Sequence, residues 1–130
     1  GCGTGYSTAI LSRLTARVVA VEPDTTLADQ ARANLADTPS VKIYAGPLQA
    51  GAANDGPYDA ILINGAIEEM SASLLDQLKD GGRLVCVRVE NGVGKATLWR
   101  RYGTRFDQRP LFEAEAPAMP GFQRKAEFVF

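Results

Sequence analysis

Three glycines at alternate positions, Gly1, Gly3 and Gly5, and the carboxylate of Glu22 are the residues whose types and spacing could hold a ligand. Glycine lets the main chain take positive φ, and it lets a ligand approach the backbone without meeting a Cβ atom. Glu22 closes the apolar run Val18-Val19-Ala20-Val21, which places its carboxylate at the C-terminal end of a strand, beside the glycine turn. There it can accept two hydrogen bonds from the vicinal hydroxyls of an adenosine ribose, as does an acid about 20 residues beyond a dinucleotide fingerprint. A purely structural turn could use the same glycines. The spacing of Glu22 is a second, independent match, and it favours a ligand site.

Other phosphate-binding signatures fit less well. The dinucleotide fingerprint G-x-G-x-x-G/A needs a small residue where this chain has Tyr6, and a bulky side chain opening the helix conflicts with a diphosphate at the helix N-terminus. No Gly-Lys-Ser/Thr follows, so a Walker loop is excluded. Asn64 invites comparison with the Asn-Pro-Pro-Tyr motif of amine-methylating enzymes, but the two prolines and the aromatic are absent. A polar strand-end residue satisfying backbone groups is as good a reading of Asn64 as a pocket residue. The stretch holds no histidine, the commonest general base and metal ligand, so no catalytic residue is assigned and no metal site is expected.

These residues need a scaffold, and the pattern around them supplies one. Tyr6, Ile10 and Leu14 recur at helical spacing after the turn; Val18 to Val21 reads as a buried strand. Asp24 or Thr25 caps a helix whose Leu27, Ala31 and Leu35 share a face, ended by Asp37-Thr38-Pro39; Val41 to Tyr44 is a third strand counted with one before Gly1. After a Gly- and Ala-rich connection, Tyr58 to Ile63 is the next strand, and Ile67, Met70, Leu74, Leu75 and Leu78 fall at helical spacing before Asp80-Gly81-Gly82. Leu84 to Val89 is a further buried strand. Beyond it, Asn91-Gly92 and Gly103 separate extended segments at Lys95 to Tyr102 and Arg105 to Ala114, then come a loop, Pro117 to Gly121, and a last extended piece, Ala126 to Phe130. The expectation is a Rossmann-like, doubly wound α/β fold with a mostly parallel sheet and an antiparallel C-terminal hairpin, forming one domain over residues 1–130. A glycine turn of this kind follows a strand, so a first strand is expected ahead of Gly1.

Composition narrows the partners. With 130 residues, 45% hydrophobic and 22% charged, the chain is long enough for one core. Its net charge of -1 leaves no basic field for a nucleic-acid backbone. No apolar run approaches the roughly 20 residues that span a bilayer, and no secretion signal opens the chain, so a cytoplasmic protein is expected. Cys2 and Cys86 are read as free thiols. Arg100, Arg101, Arg105 and Arg109 are read as a solvated outer face of the hairpin, and Phe106, Phe112, Phe122, Phe128 and Phe130 as core or contact residues.

Taken together, Gly1-Cys2-Gly3-Thr4-Gly5-Tyr6, Val18 to Glu22, Pro57-Tyr58-Asp59-Ala60-Ile61-Leu62-Ile63 and Leu78-Lys79-Asp80-Gly81-Gly82-Arg83-Leu84-Val85 resemble the protein-L-isoaspartate O-methyltransferase family, from Gly1 to about Ala114. The resemblance implies the class I methyltransferase fold, with S-adenosylmethionine over the opening turn. By carry-over, Gly1, Gly3 and Gly5 approach the methionine part and Glu22 binds the ribose hydroxyls; residues after the third and fourth strands, Gly46, Pro47, Leu48 and Asn64, flank the adenine and the reacting centre, and Cys2, Thr4, Tyr6 and Pro23 complete the cofactor-binding set. Two segments depart from the family: Ala45-Gly46-Pro47 replaces Gly-Asp-Gly, whose aspartate meets the adenine amino group, and Asn64 to Glu68 replaces a run of small residues and a proline. The implied reaction is O-methylation of a carboxylate in an isoaspartyl protein or peptide. A carboxylate is ionised at neutral pH and needs no base to attack. The alternatives are a cofactor-binding relative acting as a regulatory module, and methylation of a different small molecule, such as a small-molecule carboxylate.

Overall fold

The first unit of the chain, Gly1–Pro57, is built from short elements around one parallel strand pair. A computed structural model describes residues 1–124, and the second unit starts at Tyr58. Helix α1 (Tyr6–Leu14) leads to β1 (Val18–Glu22), α2 (Thr25–Asn34) and β2 (Val41–Ala45). β1 and β2 pair in parallel from Val18↔Val41 to Glu22↔Ala45, as a helical crossover between strands requires. Asp24 is the cap of α2: its carboxylate accepts from Thr26 N at 2.9 Å and Leu27 N at 3.2 Å, satisfying two of the free N–H groups of the first turn. The expected connection after β2 contains two single turns of 3-10 helix, Leu48–Ala50 and Ala53–Asp55.

Ala28 and Ala31 of α2 are fully buried, and their small side chains let the glycine turn come close. At Gly5, where φ is 101°, an added Cβ would lie 2.9 Å from Leu35 Cδ1 and 3.5 Å from Ala31 Cβ. Gly5 is therefore demanded twice, by its left-handed backbone and by packing. Seating the turn on α2 also decides which side of α1 faces inward. It is the Thr8 side: Tyr6 and Leu14, expected from their spacing to share the packed stripe, are 80% and 74% exposed.

The second unit is a four-stranded sheet in the order β3-β4-β5-β6, from β3 (Tyr58–Ile67), β4 (Leu78–Glu90), β5 (Val93–Tyr102) and β6 (Arg105–Glu113). β3 and β4 are parallel; β4/β5 and β5/β6 are antiparallel. The β4–β5 turn uses Asn91 and Gly92, both at positive φ (52° and 77°), the conformation that tight hairpins favour. Ile67, Leu78, Leu84 and Cys86 are its most deeply buried large side chains. The α/β class, with parallel pairing at the crossovers and antiparallel pairing at the C-terminal end, is as expected.

Several local expectations are corrected. The helix read from Ile67 to Leu78 is a single turn, α3 (Ala72–Leu75), capped by Ser71. Ile67 instead ends β3, opposite Arg88, and Leu78 begins β4, opposite Tyr58. Inward-facing residues of two strand ends and one short turn happen to fall at helical spacing, and pairing outweighs that periodicity. β3 consequently runs past Asn64, which is an exposed residue within the strand rather than at its end. Arg101 is not part of a solvated face: its guanidinium donates to the carbonyls of Leu78 at 2.7 Å, Gly103 at 2.8 Å and Asp76 at 3.1 Å. Phe122 is buried, while Phe112 on edge strand β6 is 64% exposed. The extended piece expected at Ala126 to Phe130, with Phe128 and Phe130, lies outside the described residues. Among the described residues no helix is long and apolar enough to cross a membrane.

Candidate functional site

The C-terminal ends of β1 and β2 and the turn before α1 meet in the first unit, and Glu22 is their common partner. Its side chain is turned toward the opening turn: Oε1 accepts from Gly3 N at 2.8 Å and Oε2 from Asp24 N at 2.9 Å. Its carbonyl accepts from Gly46 N at 3.1 Å, which carries the parallel pairing one residue beyond the strands. Glu22 is only 5% exposed. A buried carboxylate is tolerated where backbone N–H groups bond to its charged form. Two of its roughly four acceptor positions are used by these amides, and among the described residues no further donor meets the others.

The glycines on either side of this carboxylate open onto space. Gly3, at φ 54°, has no atom within 4 Å of where a Cβ would stand, and the same holds for Gly46. Among the described residues, none reaches the place a Cβ would take at either glycine, so the main chain is uncovered there. A vicinal diol could meet Glu22 while the rest of a nucleoside lies along bare backbone; this combination fits an adenosine-bearing group such as S-adenosylmethionine.

The remaining expected residues fall as follows. Gly1 and Cys2 are half-buried in the turn, and Cys2 Sγ sits 3.6 Å from the Gly3 carbonyl. Burial pushes the Cys2 thiol above its ordinary value. Thr4 is exposed, and its carbonyl accepts from Asn34 Nδ2 at 2.9 Å, a second tie between the turn and α2. Tyr6 opens α1 with its ring in solvent. Pro23 and Pro47 are exposed, while Leu48 is buried beneath the loop that follows β2. The structure thus gathers Gly3, Glu22 and Gly46 into one place by direct contact. Asn64 stands in the second unit, on β3.

Two participants were not legible as site residues. Asp24 was visible as a helix cap, but its own N–H is also one of the two donors that hold Glu22. Asp55, with Tyr44 and Lys42, forms a cluster behind the loop after β2. Its members are up to 13 residues apart, and nothing in the local pattern pairs them.

Comparison with known proteins gives the family of the chain. A curated relative, the protein-L-isoaspartate O-methyltransferase of Bradyrhizobium sp. (strain ORS 278), is 38% identical over 129 residues, which are 96% of this chain and 60% of the relative. The chain therefore spans about 60% of the length of that curated relative. A solved protein-L-isoaspartate O-methyltransferase superposes with a TM-score of 0.87 at 25% identity, over 93% of this chain and 40% of that one. A further structure, of a Plasmodium falciparum protein described as a protein-L-isoaspartate O-methyltransferase in complex with S-adenosyl-L-homocysteine, has a TM-score of 0.71 at 19% identity. It covers 91% of this chain and 62% of that one, and supports the fold alone. The sequence profile of Protein-L-isoaspartate(D-aspartate) O-methyltransferase (PCMT) matches residues 1–108, and the chain belongs to that family.

Proposed function

We propose that the chain is the S-adenosylmethionine-binding domain of an enzyme that methylates the carboxylate of isoaspartyl residues in proteins and peptides. The observation that carries this reading is the Glu22 carboxylate, hydrogen-bonded to Gly3 N at 2.8 Å, with bare space over Gly3. Glu22 would accept from the ribose hydroxyls. The turn Gly1 to Tyr6 would take the methionine portion, and Gly46, Pro47 and Leu48 would form a wall on the nucleoside side. When bound, S-adenosylmethionine supplies an electrophilic methyl group whose transfer leaves a neutral thioether. The acceptor is an ionised carboxylate at neutral pH, so the protein's task is to orient two partners and exclude water, with no base to provide. That the family profile crosses the boundary at Pro57 supports treating the chain as one such domain. Two free cysteines support a cytoplasmic location.

The test has two parts. Calorimetric titration with S-adenosylhomocysteine is expected to give micromolar binding, abolished in Glu22→Ala. Incubation with labelled S-adenosylmethionine and an isoaspartyl peptide is expected to label that peptide and not its aspartyl isomer. Absence of binding overturns the cofactor reading; binding with labelling only of small-molecule carboxylates overturns the substrate.

A further inference from the structure

The loop from Gly46 to Pro57 begins at the proposed cofactor site and, at Asp55, returns to Lys42 and Tyr44 on β2. Its near end is fixed by Gly46 N to the Glu22 carbonyl at 3.1 Å and by the buried Leu48 side chain. Within the loop, four backbone bonds are local: Ala50 N to Pro47 O, Gly51 N to Leu48 O, Asp55 N to Ala52 O and Gly56 N to Ala53 O. Such bonds shape the two turns.

The far half is attached at Asp55. The Tyr44 hydroxyl donates to its Oδ2, Lys42 Nζ lies 3.2 Å from Oδ2, and an Arg17 guanidinium N–H donates to its main-chain carbonyl. Lys42 and Tyr44 stand two residues apart on β2 and so on one face of it; the ammonium also lies 4.9 Å from the Tyr44 ring centroid. Arg17 immediately precedes β1. One aspartate therefore ties the second 3-10 turn to β2 and to the residue that leads into β1. The Tyr44 hydroxyl foremost, with Lys42 beside it, holds the Asp55 carboxyl below its ordinary value, so the tie stays charged through the neutral range.

We propose that Asp55 is a positioning residue for the cofactor site: anchored by Tyr44, Lys42 and Arg17, it holds the loop so that Gly46 to Leu48 keep their place beside Glu22. This rests on the reading of that site as the S-adenosylmethionine pocket. Asp55 touches no ligand in this scheme; it acts through the loop.

The experiment measures S-adenosylhomocysteine affinity and steady-state kinetics for Asp55→Asn, Tyr44→Phe and the double variant. Coupling through a packed segment of this kind shifts affinity by about twofold to thirtyfold. Each single variant is expected to weaken binding within that range and to raise KM for S-adenosylmethionine with kcat unchanged. The double variant is expected to be no worse than the weaker single one, because both break the same tie. Tyr44→Phe removes one hydroxyl from a partly exposed cluster and serves if Asp55→Asn does not fold. Wild-type affinity in folded variants overturns the proposal, as does a fall in kcat at constant KM. Failure of the wild-type chain to bind S-adenosylhomocysteine would instead sink the underlying cofactor reading.

Discussion

Gly3 and Gly46, beside Glu22 in the first unit, differ from Gly65 and Gly94 in the sheet of the second in one respect: what occupies the space a side chain would take. Gly3 and Gly46 face nothing within 4 Å. Gly65 is filled by Met119, whose Cγ and Sδ come to 2.3 Å of an ideal Cβ, and Gly94 by the Ala114 carbonyl at 2.3 Å. One pair leaves main chain uncovered beside a buried carboxylate, while the other lets protein segments close on each other. The residue type is the same and the physical reason opposite, so an invitation to a ligand shows only when the space is seen.

The sharpest way to break this comparison is at Glu22. In Glu22→Gln an amide replaces the carboxylate, so one of its two backbone N–H partners faces an NH2 group, at a cost of about 1–3 kcal/mol in stability. Binding should suffer more. Two hydrogen bonds from a ribose diol to a charged acceptor contribute about 1.5–3 kcal/mol each, so S-adenosylhomocysteine affinity is expected to fall by about 100-fold or more. Calorimetry at matched folded fraction checks it. A change under about fivefold would make Glu22 a brace of the turn and nothing else.

Next in size is Gly65→Ala, which probes the closed kind of glycine. Its Cβ would collide with Met119 and stand 2.9 Å from the Pro117 carbonyl, which is backbone and does not swing away. Met119 itself is pinned through its N–H to the Ala66 carbonyl at 2.8 Å. Overpacking of this kind costs about 1–3 kcal/mol, and urea denaturation is expected to show it. Met119→Ala in the same chain should recover part of the loss, since it removes the flexible half of the clash and leaves the carbonyl.

The two units also differ in how much of them the sequence displays. In the first, local signals suffice for the surroundings of Glu22: Asp24 caps where a cap is expected, Val18 to Glu22 is a strand, and Glu22 meets the turn at Gly3. Each of these depends on neighbours a few residues away or on one crossover of standard form. In the second, Ile67 and Leu78 were misread as one helical stripe because a strand end and a helix face both need apolar residues, and spacing alone does not separate them. Arg101 was read as surface because the carbonyls of Asp76 and Leu78 that it reaches are distant in sequence. Tyr6, Ile10 and Leu14 do lie along one helix, but the direction in which α1 faces is set by Gly5 against Leu35 and Ala31. Asp55 and Tyr44 gave no signal because a charged hub across a loop has no period.

Gly46→Ala sharpens the comparison from the other side. Gly46 is not at positive φ and a methyl group there meets nothing, so the thermal midpoint is expected to stay within about 0.5 kcal/mol of wild type in stability terms. If a nucleoside lies against this backbone, the methyl group takes its room, and affinity should fall while stability does not. Gly3→Ala is the mixed case, since φ 54° adds a left-handed backbone cost of about 1–2 kcal/mol. An alanine at Gly46 that binds S-adenosylhomocysteine as tightly as wild type would show that the ligand keeps its distance from that side of the site.

The smallest effect uses one thiol from each unit. Cys86 is buried in β4, and burial pushes its thiol up to about 11, so roughly one molecule in a thousand carries the thiolate at pH 8. Cys2 is raised in the same direction by burial, but it lies half-exposed in the turn. Because the thiolate is the reactive species, iodoacetamide at pH 8 is expected to label Cys2 slowly and Cys86 only after unfolding. S-adenosylhomocysteine should slow Cys2 further, since Cys2 lies between Gly1 and Gly3 in the proposed site, and leave Cys86 as it was. Mass spectrometry of the two peptides reads both at once. Equal labelling of Cys2 with and without the nucleoside, at saturating concentration, would place the ligand away from the opening turn even if Glu22 proved essential for binding it.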